Sequence, residues 1–153
     1  MAAYGHGAEG IVIVPVMTGA FVFAADLVRR MPNRLRVDVA TVRSYGSGTV
    51  SQGPRIEGVM PSVQGRHVLL VDDILDTGKT LKTVIAKLAQ LQPRQIKTCV
   101  LLNKPARRVE PVEADYSGFD IPDLFVVGYG LDYAERYRNL PFVGVLKPEM
   151  YGK

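Results

Sequence analysis

The segment that most restricts how this chain folds is Val68–Leu81, VLLVDDILDTGKTL. His67–Val71 reads as a strand, and its unbroken apolar run is what a strand buried on both faces of a sheet requires. The run stops at Asp72 and Asp73, and Asp76-Thr77-Gly78-Lys79-Thr80 opens a helix over Lys79–Leu91. In that helix Leu81, Val84, Ile85, Leu88 and Leu91 recur at three- and four-residue spacing until Pro93 stops it. A buried strand turning through an acidic loop into an amphipathic helix is the building unit of a parallel sheet covered by helices. Ligands of such sheets sit at the carboxyl ends of the strands, so Asp72–Thr80 is the first place to look for a site.

The rest of the chain repeats the alternation. Ile11–Val16 is a second apolar run, expected as a central strand, followed by a helix over about Gly19–Met31 with Phe23, Leu27 and Met31 on one face. Arg36–Arg43 alternates as one strand with Val37, Val39 and Thr41 facing the same way. Ser44–Pro54, SYGSGTVSQGP, holds three glycines, three serines and a tyrosine, the composition of a functional lid or a disordered loop. Arg55–Met60 is expected to return from that loop as a strand, and Gln95–Leu102 is a further one. From Asn103 to about Pro122 the sequence is Pro-, Arg- and acid-rich and reads as irregular, before short strands at Leu124–Gly128 and Phe142–Leu146. The expected organisation is one α/β domain over 1–153, with a core at about 9–103, a lid at about 44–54, and residues 104–153 appended over the sheet edge.

Composition narrows the setting. Apolar residues make up 47% and charged residues 22%, ordinary for a globular chain, and no run approaches the roughly 18–20 apolar residues of a membrane span. Met1–Gly10 lacks the basic-then-apolar order of a signal peptide. Cys99 is the single cysteine, so no intrachain disulfide forms and a reducing cytoplasm fits. The net charge of +4 is spread without a basic stripe interleaved with aromatics, which argues against a nucleic-acid partner and for local attraction of a small polyanion. His6 and His67 are isolated and receive no role.

The acidic loop carries the chemistry. Helix-start N–H groups are unpaired donors, Gly78 allows close approach, and the Thr77 and Thr80 hydroxyls add donors, a combination suited to one phosphate monoester. Gly78-Lys79-Thr80 also looks like the tail of the GxxxxGK[ST] loop of nucleoside triphosphatases. That reading fails because Asp73 stands where the first glycine is needed, and its charge would repel a cradled triphosphate. Asp72 and Asp73 suit ribose hydroxyls or Mg²⁺, a hard cation that takes oxygen ligands, and Asp76 is available for proton transfer. Without the flanking motif the same residues would be a strand-end pair and a helix N-cap.

VLLVDDILDTGKTL closely resembles the ribosyl-pyrophosphate-binding motif of type I phosphoribosyltransferases. Lys104 in LLNKP, the stretch Asp115–Pro141 and the loop RSYGSGT (Arg43–Thr49) resemble hypoxanthine–guanine phosphoribosyltransferases in particular, and the likeness runs from about Tyr4 onward. The resemblance implies the type I fold, a mostly parallel twisted sheet flanked by helices with a small C-terminal hood. It implies Mg²⁺-dependent purine salvage: transfer from 5-phospho-α-D-ribosyl 1-pyrophosphate to hypoxanthine or guanine, giving IMP or GMP and pyrophosphate, by a cytoplasmic homodimer or homotetramer. It implies Asp76 as the catalytic acid/base facing purine N7, and Asp76, Thr77, Gly78, Lys79 and Thr80 as the 5′-phosphate loop. Asp72 and Asp73 match the acidic pair at the ribose, with Asp72, Asp73 and Asp132 as the metal carboxylates. Lys104, Phe125 and Val126 match the purine contacts, as donor to the 6-oxo group, stacked ring and backbone reader of the edge. Thr18, Gly19 and Arg138 match the pyrophosphate contacts, and Ser44 and Tyr45 the closing residues of the lid.

Two departures from the family pattern stand out. Val16-Met17-Thr18-Gly19-Ala20 occupies a loop where many members carry Leu-Lys-Gly-Gly or Leu-Lys-Gly-Ser, so Thr18 replaces a lysine. The backbone N–H groups of Thr18–Ala20 are left as the donors there, with a cis peptide expected at Met17–Thr18 or Thr18–Gly19. The family also carries an N-terminal helix, and often a strand, before the stretch matching Tyr4, so that part of the hood is expected to be missing. Two further readings stay open at this stage: a regulatory RNA-binding protein on the same fold, and a catalytically impaired paralogue. The sequence does not rank hypoxanthine, guanine and xanthine.

Overall fold

In the computed structural model, residues 10–44 and 53–151 are described. The element order begins β1 (Ile11–Met17), α1 (Phe21–Val28), β2 (Leu35–Val37), β3 (Ala40–Ser44), β4 (Pro54–Glu57), β5 (His67–Leu75) and α2 (Lys79–Ala89). It continues with β6 (Gln95–Asn103), β7 (Tyr116–Asp120), β8 (Val126–Val127) and β9 (Gly144–Val145). One sheet runs β4-β3-β1-β5-β6-β7, with β2 also paired to β1, and β8 pairs with β9 in a separate two-stranded sheet. In the larger sheet β4 lies antiparallel to β3, and the other pairings are parallel.

The apolar runs at β1 and β5 are continuous because both faces of these strands are buried. Val12, Val14, Val68 and Leu70 pack with Leu81, Val84 and Leu88 of α2. Ile11, Ile13, Leu69 and Val71 pack on the other face with Ala24 of α1 and Met31, and Phe23 and Leu27 close over them. Burying one such aliphatic side chain contributes about 1.5–3 kcal/mol, so these two layers fix the central strands relative to both helices.

Three expectations from the sequence need correction. The single strand over Arg36–Arg43 is two strands, with Val37 and Val39 exposed and Ala40 buried. Asp38 breaks it: its carboxylate accepts from the N–H groups of Val39 and Ser62, both at 3.1 Å, while its own N–H donates to Ile13. That local turn lets β2 pair with Ile11–Ile13 and β3 with Val16–Met17 of the same strand.

The β5 strand does not stop before the acidic pair. It continues through Asp72 and Asp73 to Leu75, because β6 keeps pairing as far as Leu75↔Asn103 after the β1 ladder has ended at Pro15↔Val71. The third correction is β7, in a stretch read as irregular. All five of its residues are exposed, so no apolar alternation marks it, and it is held by its parallel ladder to β6.

Candidate active site

The carboxyl ends of β1 and β5, the loop after β5 and the 128–138 turns enclose a cavity of about 380 Å³. It is lined by Thr18, Gly19, Asp72, Asp73, Asp76, Thr77, Gly78, Thr80, Asp132 and Arg138 among others. A second cavity of about 230 Å³ adjoins it, lined by Lys104, Arg107, Phe125, Val126 and Leu131 together with Asp73, Ile74, Asp76 and Asp132. The last four residues line both.

Asp76 stands at that shared boundary. Its Oδ1 is buried and accepts no hydrogen bond from the described residues, with Arg107 Nε 3.4 Å away as an ion-pair partner. It is not the helix cap: Gly78 holds that position, at φ +87°, where a β-carbon would also lie 2.6 Å from Val112 Cγ1. The tight turn therefore needs glycine both for its dihedral and for its neighbour. Thr77, Gly78 and Thr80 face the cavity, whereas Lys79, expected with them, is exposed and lies outside the lining because it begins α2 on the outer side of the turn.

Asp72 is buried and its Oδ1 accepts from Asp73 N at 2.9 Å. Burial and the neighbouring Asp73 charge push its carboxyl well above the ordinary carboxylate range. Burial also raises Asp73, against the pull of hydrogen bonds and of the Arg138 guanidinium. Gly19 lies directly against Asp73: a β-carbon there would be 2.2 Å from Oδ2. On the far wall Arg138 pairs with Asp132 Oδ1 at 3.2 Å and donates to Gly130 O at 2.7 Å. The described residues bring together no cluster of three or more metal-ligating side chains, so Asp72, Asp73 and Asp132 do not close into one cage.

The loop after β1 has its cis peptide at Met17–Thr18. Of the expected donors there, Ala20 N is taken by Val16 O at 3.1 Å, since the chain turns immediately into α1. Thr18 and Gly19 keep backbone N–H groups that meet no backbone acceptor among the described residues.

In the second cavity Lys104 is buried, donates to Leu124 O at 2.8 Å and has Asp123 Oδ1 at 3.6 Å. Phe125 is stacked on Tyr151 with centroids 4.8 Å apart and meets Tyr133 edge-on at 5.6 Å. Tyr129, Tyr133 and Tyr137, which share a four-residue spacing, lie in turns rather than on a helix. Tyr129 hydrogen-bonds Asp26 of α1. Ser44 ends β3, and Tyr45 with most of the expected lid lies outside the described residues, as does Tyr4.

One residue of this region had no distinguishing signal in the sequence. Arg108, half of an Arg-Arg pair, is half-buried against the loop and donates to the carbonyls of Asp76 and Val112 and to Asn103 Oδ1. Only the fold reveals it, because the loop carbonyls it holds lie some thirty residues earlier in the chain.

Residues 3–134 match the family model described as the phosphoribosyl transferase domain. The hypoxanthine-guanine phosphoribosyltransferase of Bacillus subtilis (strain 168) is 46% identical over 140 residues, covering 90% of this chain and 78% of that protein. The chain belongs to the hypoxanthine–guanine phosphoribosyltransferase family. A bifunctional protein TilS/HprT of Listeria innocua is 48% identical over 143 residues; the match covers 92% of this chain and 22% of that longer protein. The crystal structure of a hypoxanthine phosphoribosyltransferase from Staphylococcus aureus superposes with a TM-score of 0.87 at 42% identity, covering 95% of this chain and 80% of that one. The architecture of this chain is therefore the type I fold, a mostly parallel sheet flanked by helices. No helix among its described residues is long and apolar enough to cross a membrane.

Proposed function

We propose that this protein transfers the 5-phosphoribosyl group from 5-phospho-α-D-ribosyl 1-pyrophosphate to N9 of hypoxanthine or guanine, giving IMP or GMP and pyrophosphate. The observation that carries this reading is the pair of adjoining cavities sharing Asp73, Ile74, Asp76 and Asp132. A bond between the occupants of two such compartments forms at their common wall, and Asp76 is on that wall with a carboxylate oxygen that accepts no hydrogen bond among the described residues.

In this reading the phosphate of the sugar lies on Asp76–Thr80, and the base lies between Ile74 and Phe125. The buried Lys104 ammonium has three donors and gives one to Leu124 O, which leaves two for a 6-oxo group. As N9 forms its bond to C1′ and the C1′–oxygen bond breaks, the proton on N7 passes to Asp76. The electron pair of the broken bond leaves with pyrophosphate, toward Arg138 and the Thr18 and Gly19 amides. Positive charge at the sugar is favoured by the carboxylates beneath it, a contribution of electrostatic preorganisation.

The donor set also suits Mg²⁺, which takes one or two carboxylates and completes its shell with water and substrate oxygens. Asp73 and Asp132, which line both cavities, offer those oxygens, with Asp72 buried behind them. When bound, Mg²⁺ supplies neutralisation of the pyrophosphate charge. A cytoplasmic homodimer or homotetramer completes the reading, supported by the free, partly buried thiol of Cys99 and the exposed apolar residues Phe142 and Val145.

The test is Mg²⁺-dependent formation of IMP and GMP from ribosyl pyrophosphate and base, run also in Asp76→Asn. Loss of the proton acceptor is expected to lower kcat by about 10²–10⁴-fold. Full turnover in that variant would sink the role given to Asp76; no nucleotide from the unaltered protein would sink the activity.

A further inference from the structure

The loop between β5 and α2 lies on a strap formed by residues 104–112. Leu75 O accepts from Lys104 N at 2.9 Å and from Arg108 Nη2 at 3.5 Å. Asp76 O accepts from Arg108 Nε at 3.1 Å, and Thr77 O accepts from Val109 N and Glu110 N, both at 3.0 Å. Three consecutive carbonyls are thus turned onto the strap.

A trans peptide is planar and its C=O and N–H point in opposite directions. The N–H groups of Asp76, Thr77 and Gly78 therefore point away from the strap, to the side where these residues line the larger cavity. None of the three donates to a backbone acceptor among the described residues. Successive inward N–H groups make a concavity that binds anions.

Arg108 is the centre of this strap. Its side chain is 13% exposed, and its one carboxylate neighbour among the described residues is Glu113 at 3.5 Å, itself 83% exposed. The remaining acceptors are the carbonyls of Leu75, Asp76 and Val112 and the side chain of Asn103, which in turn donates to Asp120 Oδ1 at 2.8 Å. A guanidinium held mostly by neutral acceptors gives up hydration that these dipoles only partly replace, while its fixed fork holds several of them at once.

We propose that Arg108 is the positioning residue of the anion loop, orienting the Leu75–Asp76 and Asp76–Thr77 peptides so that their N–H groups meet the 5′-phosphate. This rests on the phosphoribosyl-transfer reading above but concerns a residue that lines neither cavity. Arg108 does not touch the substrate; it acts through the backbone it holds.

The test compares Arg108→Lys, Arg108→Met and Asn103→Ala, the last freeing one arm of the guanidinium without removing it. The expected result is a rise in KM for ribosyl pyrophosphate of about 10–100-fold in Arg108→Met and about tenfold in Arg108→Lys, the size of lost charge-assisted hydrogen bonds. The Asn103→Ala change should be smaller and of the same sign, and KM for hypoxanthine should stay within about twofold in all three, because Arg108 contacts no base-lining side chain. In parallel, inorganic phosphate should shift the amide resonances of Asp76 and Thr77 in the unaltered protein and shift them less at equal concentration in Arg108→Lys.

Unchanged KM for ribosyl pyrophosphate in Arg108→Lys, or equal rises for both substrates, would overturn the proposal. If Arg108→Met does not fold, Arg108→Lys and Asn103→Ala decide it. An unaltered protein that binds phosphate at these amides but makes no nucleotide would instead count against the function, so the two failures are distinct.

Discussion

Gly19 and Asp73 are in van der Waals contact across the mouth of the larger cavity, with no room for a β-carbon: one built on Gly19 would stand 2.2 Å from Asp73 Oδ2 and 2.8 Å from its Cγ. The contact joins the loop after β1 to the acidic end of β5, the two elements that in our reading hold pyrophosphate and ribose. Gly130 adds a second close approach, since a β-carbon there would meet Gly19 O at 2.2 Å.

Gly19→Ala should therefore push Asp73 or the loop aside. Displacing a reacting group by about 1 Å costs on the order of 10²-fold in rate. We expect kcat/KM for ribosyl pyrophosphate to fall by about that factor, while far-ultraviolet circular dichroism stays native. Wild-type kinetics in Gly19→Ala would mean that Asp73 moves freely and that its placement is unimportant.

Lys104→Met keeps the apolar stem of the side chain and removes its donors. Leu124 O then loses its 2.8 Å partner. Leu124 is itself exposed, so its carbonyl can turn to water, and losing this one hydrogen bond should cost only about 0.5–1.5 kcal/mol of stability. The larger expected effect is on the base: KM for hypoxanthine and guanine should rise by about 10²-fold, and KM for ribosyl pyrophosphate should change little. Steady-state kinetics with each substrate varied in turn separates the two.

Tyr151 stacks on Phe125 and lies outside the lining of the base cavity. With Tyr133 at the ring edge it holds Phe125 in orientation. An aromatic pair of this kind contributes about 0.5–1.5 kcal/mol, so Tyr151→Ala should raise KM for the base about 3- to 10-fold, and Tyr151→Phe should leave it unchanged. An equal loss in both variants would point to the hydroxyl instead of the stacking.

Asp115 should make stability depend on acid. Its carboxylate accepts from Thr98 N at 2.9 Å, Thr98 Oγ1 at 3.0 Å and Lys97 Nζ at 2.6 Å, tying the start of β7 to β6. Burial works to raise its pKa, but the Lys97 and Thr98 hydrogen bonds outweigh it and hold the carboxyl below its ordinary value. A folded pKa below the unfolded one means stabilisation that is complete above about pH 4 and is lost as pH falls through the folded value. Asp115→Asn should lower stability by about 1–2 kcal/mol at pH 7, and by less at pH 3. Urea unfolding at the two pH values tests this; an equal deficit at both would show that charge is not involved.

The central strands and α2 were legible in the sequence because their signals are local. An unbroken apolar run at Val68–Val71 and the 3–4 spacing from Leu81 to Leu88 record which faces are buried, and burial is what forms those elements. The break at Asp38 and the strand at Tyr116–Asp120 were not legible, because each depends on a partner distant in the chain: Ser62 and Ile13 for the first, β6 for the second.

The same division applies to Val68–Leu81. By itself, the sequence determined a buried strand, a glycine turn and an amphipathic helix, together with the acidic chemistry between them, since each follows from spacing and residue type over a few positions. Tertiary structure alone decided which way the loop faces, that Lys79 is exposed outside the cavity lining, and that Asp132 and Arg138 close its far wall. The reason is physical: a backbone N–H takes its direction from whatever holds the carbonyl of the same peptide. Here that is Arg108 and its neighbours, some thirty residues further along the chain.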